Sequence, residues 1–184
     1  MITIKDKNFD LFIFRIELER IVKEVSRHIK RDWRNNYDIT GLPILVVVLK
    51  GAATFAADLS RELSPYPFEI EYIRLSSYEG TESTGEIKNI TGISRDILGR
   101  DVIIVEDIVE TGLTVDYLKN YLLDEKEVNS VKICSLFTRP KNYKCNVDVD
   151  YVGVELTNDE FIVGYGLDYD EEGRNLNDIY KLST

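Results

Sequence analysis

VIIVEDIVETGLT, residues 102–114, decides how the rest of the chain is read. With Asp101 before it, its first half is a run of Val and Ile closed by Glu106 and Asp107. Its second half, Thr111-Gly112-Leu113-Thr114, opens a helix over LTVDYLKNYLLDE, 113–125. An unbroken β-branched run is what a strand buried on both faces looks like, as in a parallel sheet. PILVVVLKG (43–51) repeats the pattern, and AATFAADLSREL (52–63) follows it as a helix. FEIEYIRL (68–75), VKICSLF (131–137) and DYVGVEL (150–156) give further strands. Phe14, Leu18, Ile21, Val22, Val25 and Ile29 recur at three- and four-residue intervals, predicting an amphipathic helix that ends near Trp33. Strands alternating with helices predict an α/β fold built on a doubly wound, right-handed parallel sheet. No repeat or linker interrupts the pattern, so residues 1–184 are expected to form one domain.

Composition narrows the function. At 184 residues and 43% hydrophobic, the chain can bury a substantial core. No apolar stretch approaches the ~20 residues of a membrane span. MITIKDKNFD carries charges early and lacks a secretory h-region, so a cytoplasmic protein is expected. Lys and Arg total 23 against 33 Asp and Glu, a net charge of −10 that disfavours nucleic acid and anionic membranes as partners. Cys134 lies in an apolar run and is expected as a buried thiol, Cys145 lies in a charged connector, and neither has metal-ligand spacing around it. The single histidine, His28, sits one turn after Glu24 as an exposed side chain, so Ser-His-Asp chemistry has no support.

One segment departs from the α/β alternation. Between Leu75 and Asp101 the chain reads SSYEGTESTGEIKNITGISRDILGR, rich in Ser, Thr and Gly. A connection of that length is usually either a lid or disordered, and the plain alternative is a surface hairpin with no role.

In open α/β sheets ligands sit beyond the carboxyl ends of the strands, where Glu106 and Asp107 stand. Hydroxyls and backbone N–H groups of Thr111, Gly112 and Thr114 at the next helix start suit a phosphate monoester. Three acids, Glu106, Asp107 and Glu110, would repel that phosphate unless something hydroxylated lay between. A sugar phosphate meets both demands, its vicinal hydroxyls donating to the acids and Mg²⁺ neutralising further charge. The stretch is neither a Walker A loop nor a GxGxxG turn. The plain alternative is that these acids only cap the helix.

At this point the sequence resembles the purine phosphoribosyltransferase family, most closely its hypoxanthine-guanine branch. VIIVEDIVETGLT is similar to the family's phosphoribosyl-diphosphate (PRPP) motif, VVVLKGAATFAADL to its diphosphate loop and SSYEGTESTGEIK to its mobile loop. VKICSLFTRP is similar to its base-contact strand and FIVGYGLDYDEEGRNL to its purine-stacking and metal segment, in matching order from Leu42 to Leu176. The resemblance implies the type I phosphoribosyltransferase fold with a small hood and a mobile lid over residues 76–86. It further implies that Glu106 and Asp107 bind ribose hydroxyls and their Mg²⁺, that Glu110 stands near purine N7, and that Thr111, Gly112, Leu113 and Thr114 wrap the 5′-phosphate. Lys50, Gly51 and Arg174 would meet the diphosphate, with an unusual backbone at the Leu49–Lys50 step. Phe161 would stack on the base, Ile162 would offer it backbone groups, Asp168 would hold a second Mg²⁺, and Ser77 and Tyr78 would ride on the lid. A homo-oligomer, dimer or tetramer, is implied as well.

Two positions depart from the family pattern. Glu110 stands where aspartate is usual, and its extra methylene would carry the carboxylate too far unless the loop shifts; a 1 Å misplacement costs about 100-fold in rate. Arg139 stands where lysine is usual; as a permanent donor it accepts a 6-oxopurine and rejects adenine. The expected activity is Mg²⁺-dependent transfer of phosphoribose from PRPP to hypoxanthine, guanine or xanthine, with Lys50, Arg174 and Glu110 as the catalytic groups. The rival expectation is a non-catalytic PRPP or nucleotide sensor on the same fold. An RNA-binding regulator would want a basic face that the charge does not provide.

Overall fold

Ile44, Val46 and Val48 pack into one apolar cluster and Leu45 and Val47 into another, on opposite faces of a sheet. That two-sided burial is why β3 (Ile44–Leu49) is an unbroken apolar run. The computed structural model describes residues 1–36, 41–77, 87–93 and 96–183. The chain opens with β1 (Ile2–Ile4), β2 (Lys7–Ile13) and α1 (Arg15–Asn36), and β3 leads into α2 (Ala53–Glu62). There follow β4 (Glu69–Ser77), β5 (Ile87–Thr91), β6 (Asp101–Val109) and α3 (Leu113–Asn120). The chain continues through β7 (Ser130–Thr138), β8 (Tyr151–Glu155), β9 (Ile162–Val163) and β10 (Ile179–Leu182).

The main sheet has the order β5-β4-β3-β6-β7-β8, and every neighbouring pair is parallel except β4 with β5. Leu18, Val22, Val25 and Ile29 of α1 and Phe55 and Leu59 of α2 cover the face that carries Leu45, Val47, Ile103 and Val105. Val115 and Leu118 of α3 cover the other, with Ile104 and Ile133. Helices on both faces make this the expected doubly wound α/β sheet.

Several boundaries differ from the sequence expectation, and in β4 and β6 a pairing strand extends the element. α1 continues beyond Trp33 to Asn36. β4 runs to Ser77 because β5 pairs with its last residues, Arg74 with Thr91 through Ser77 with Ile87. The stretch after Leu75 is therefore in part a hairpin rather than all loop; Tyr78 and the rest of the expected lid to residue 86 lie outside the described residues. β6 reaches Val109 because its ladder with β7 continues through Ile108–Phe137 and Val109–Thr138. The helix after it is regular only to Asn120, and Tyr121–Glu125 form a wider π turn closed by Lys126 N–H donating to the Tyr121 carbonyl at 3.2 Å.

The hood is a second, antiparallel sheet of order β1-β2-β10-β9. Phe9, Ile4 and Val163 are its buried centre, flanked by Tyr169, Leu176 and Tyr180. None of its strands is marked by a long apolar run. Among the described residues, no helix is long and apolar enough to cross a membrane.

Candidate active site

Three parallel strands deliver the expected residues to one edge of the sheet. Lys50 directly follows β3, Glu110 follows β6 and Arg139 follows β7, all at carboxyl ends, while the hood brings Phe161 to Arg174 over them.

At the end of β3 the Leu49–Lys50 peptide bond is cis, so the step singled out by the resemblance does have an unusual backbone. Gly51 follows, with no room for a side chain: a Cβ there would lie 1.8 Å from Oδ2 of Asp107. The carbonyl of Gly51 in turn faces Gly166, whose own Cβ would come within 2.1 Å of it. This loop, the acid pair and the hood turn thus meet through bare backbone.

Glu106 is only 6% exposed, and Asp107 beside it is partly buried. Burial, and then the neighbouring Asp107 charge, push the Glu106 carboxyl well above the usual carboxylate range. Burial raises Asp107 as well, opposed by its hydrogen bond with Glu106 and the charge of Arg174. Two acids crowded beside one guanidinium form a site short of positive charge. Beyond them Gly112, at φ +80°, turns the chain into α3. A Cβ on Gly112 would strike Val147 at 2.6 Å, so the turn requires glycine on both conformational and steric grounds. Thr111 Oγ1 accepts from the Leu113 N–H at 3.4 Å, the Thr111 carbonyl accepts from Lys144 N–H at 2.9 Å, and Thr114 is partly buried at the helix start.

Glu110 and Arg139, the two departures from the family pattern, face each other. Arg139 Nε lies 3.3 Å from Glu110 Oε2, and a second guanidinium nitrogen donates to the Glu160 carbonyl. Asn142 Nδ2 donates to Glu110 Oε1 at 2.7 Å. Arg139 is 7% exposed, and its Nε has no hydrogen-bond acceptor among the described residues. Phe161, one residue after Glu160, keeps 45% of its surface open while its ring packs against Phe9 and Tyr169. Ile162 buries its side chain in the main core. Because Leu182 N–H donates to the Phe161 carbonyl, strand alternation turns the backbone groups of Ile162 toward the open edge of β9.

At the other end Lys50 Nζ contacts Glu171 Oε2 at 2.8 Å, and the same oxygen lies 3.4 Å from Arg174 Nη2. Arg174 Nη2 also pairs with Asp168 Oδ1 at 2.8 Å, while Asp168 Oδ2 accepts from the Glu171 N–H at 2.8 Å. The Lys50 contact holds the Glu171 carboxyl below its usual range. Arg174 Nε is buried without an acceptor among the described residues.

The fold therefore gathers Lys50, Gly51, Asp107, Asp168 and Arg174 at one end and Glu110, Arg139, Phe161 and Ile162 at the other. Glu106, Thr111, Gly112, Leu113 and Thr114 line the segment between. Ser77 closes β4, and Tyr78 lies outside the described residues. Sequence reasoning missed Asn142, the Glu160 carbonyl and Glu171. Only Glu171 left a trace, inside the acidic run DYDEEGR. His28 is exposed and 3.5 Å from Glu24, and both cysteines are free thiols, Cys134 buried, as expected.

A strand-end acid pair, a glycine turn into a helix and two cationic side chains thus share one edge of the sheet. Residues 14–170 match the phosphoribosyl transferase domain model, and the chain belongs to that family. Within it the chain is similar to the hypoxanthine-guanine phosphoribosyltransferase of Mycobacterium bovis, 40% identical over 90% of this chain and 82% of the relative. The Bacillus subtilis enzyme of that name is 38% identical over 87% and 85%. Among solved structures, a hypoxanthine-guanine phosphoribosyltransferase from Bacillus anthracis superposes with a TM-score of 0.80 at 37% identity, covering 97% of this chain and 99% of that one. Another, described as the glutamic acid mutant of an invariant aspartic acid in these enzymes, has a TM-score of 0.87 at 33% identity, covering 98% and 97%.

Proposed function

We propose that the protein transfers phosphoribose from PRPP to a 6-oxopurine, hypoxanthine first among them, giving a nucleoside 5′-monophosphate and diphosphate. The observation that carries this is the buried Arg174 Nε, which has no acceptor among the described residues and whose charge acts on Asp107. Buried donors are almost always paired, so this one suits a ligand oxygen. A diphosphate oxygen would satisfy it, and the oxo group of a base would accept from the Arg139 guanidinium at the other end. Arg139 has no acceptor to offer, so the 6-amino group of adenine gains nothing there.

Lys50 and Arg174 stabilise the charge that builds on the departing diphosphate. Glu106 and Asp107 hold the ribose hydroxyls and fix the sugar while its C1 becomes electron-poor. Glu110 accepts the base proton, and Phe161 supplies a flat apolar face that keeps the ring over C1. Oxygen donors at Asp107 and Asp168 suit Mg²⁺. Among the described residues no three metal-binding side chains converge, and Mg²⁺ is typically held by one or two carboxylates, with substrate phosphates and water filling the shell. When bound, it would neutralise diphosphate charge.

The test is direct: incubate the protein with PRPP, Mg²⁺ and each of hypoxanthine, guanine, xanthine and adenine, and separate the products by chromatography. Nucleotide from a 6-oxopurine and none from adenine is the expected result. No product from any base would remove the proposal.

A further inference from the structure

The carboxylate of Glu110 is gripped from two sides. Asn142 Nδ2 donates to Oε1 at 2.7 Å, and Arg139 Nε stands 3.3 Å from Oε2. Asn142 itself is fixed from behind. It is the last residue of the short 3-10 turn Pro140–Asn142, where its N–H donates to the Arg139 carbonyl at 2.9 Å. Arg139 N–H donates to the Val109 carbonyl at 3.0 Å, tying that turn back to the residue before Glu110. The same amide is within 3.5 Å of Asp159 Oδ1, so its donors are shared between two carboxylates and its oxygen points elsewhere. Glu110 is a long side chain on an open turn, and an unheld one would sample several rotamers.

We infer that Asn142 is a positioning residue: its amide, opposed to Arg139, holds the Glu110 carboxylate where it takes the proton of the incoming base. This rests on the phosphoribosyl-transfer reading of the site. Asn142 touches no reacting atom; it acts through Glu110 alone. The clamp also accounts for how a glutamate serves at this position. Its extra length is taken up by anchoring one oxygen on Asn142 rather than by displacement of the loop.

The experiment compares the full chain with Asn142→Ala, Asn142→Asp, Glu110→Gln and the Asn142→Ala/Glu110→Gln double variant, measuring kcat, the KM for PRPP and the KM for hypoxanthine. Asn142→Ala should lower kcat by roughly tenfold with the KM for PRPP unchanged. Asn142→Asp, which puts a like charge against Glu110, should lower it further. In the Glu110→Gln background, Asn142→Ala should add nothing, because the group it positions is gone. Asn142→Ala at wild-type kcat would overturn the inference. So would an equal loss in both backgrounds, which would mark Asn142 as a merely structural residue of the turn. A wild-type protein that makes no nucleotide instead sinks the reading of the site, and the inference goes with it.

Discussion

Gly51 and Asp107 occupy the same space to within a hydrogen atom: a Cβ on residue 51 would stand 1.8 Å from Asp107 Oδ2. Gly51→Ala must therefore drive that carboxylate back by about 1 Å or more. Displacements of this size cost about 100-fold in rate. Because Asp107 is only partly buried and can retreat toward the cleft, the fold should survive. Steady-state kinetics of Gly51→Ala should show a fall in kcat/KM of roughly that size, with a thermal midpoint within ~4 °C of wild type. Full activity would mean that Asp107 need not sit where it does.

Glu106 is a buried acid whose affinity for its proton is raised on folding, first by desolvation and then by Asp107. The folded state then binds more protons than the unfolded chain, so stability is fully present below the ordinary carboxylate range. It declines as pH rises toward the elevated folded value. At pH 7 the acid costs stability. Glu106→Gln should raise the stability by on the order of 1 kcal/mol at pH 7, with the gain shrinking at pH 4, while activity falls. Urea melts at both pH values check the sign, and a variant less stable at pH 7 would refute it.

Glu171 supplies one oxygen to both Lys50 and Arg174, the two cations proposed to meet the diphosphate. On that proposal substrate displaces it. Glu171→Gln removes the competing charge and should tighten inorganic diphosphate by roughly two- to fivefold, a modest effect because exposed ion pairs are worth only about 0–1 kcal/mol. Titration calorimetry at low salt measures it. Weaker binding would mean that Glu171 organises the two cations rather than blocking them.

Phe161 keeps much of its side chain exposed, one residue after the Glu160 carbonyl that Arg139 contacts. Stacking a base on an aromatic ring contributes about 1–3 kcal/mol. Phe161→Ala should raise the KM for hypoxanthine roughly 10-fold or more and leave the KM for PRPP within about twofold, since stacking does not reach the diphosphate end. An unchanged KM for the base would assign the ring to packing with Phe9 and Tyr169 alone.

What could be read from the sequence follows the range of the forces involved. β3 and β6 announce themselves because both faces are buried along most of their length, which gives the unbroken apolar runs 44–49 and 102–105. The Thr111–Thr114 turn is legible because a strand end, a glycine and a helix start fall within a few residues. The hood is not, since β9 is two residues long and owes its existence to pairing with β10. β5 hides in a Ser- and Thr-rich stretch because its partner, not its composition, makes it a strand. Asn142 and Glu171 escaped notice for the same reason. Glu171 meets Lys50 across 121 positions of chain, and nothing local marks either contact.

The hood also sets an order of events. β10 pairs with β2 on one side and with β9 on the other, so Phe161 has its footing only when chain made early and chain made late have met. On the ribosome the α/β core can close around β3, β6 and β7 while the hood is still missing. Nascent protein should therefore assemble the Glu106–Asp107 pair and the Thr111–Thr114 turn before Phe161, Asp168 and Arg174 can reach them.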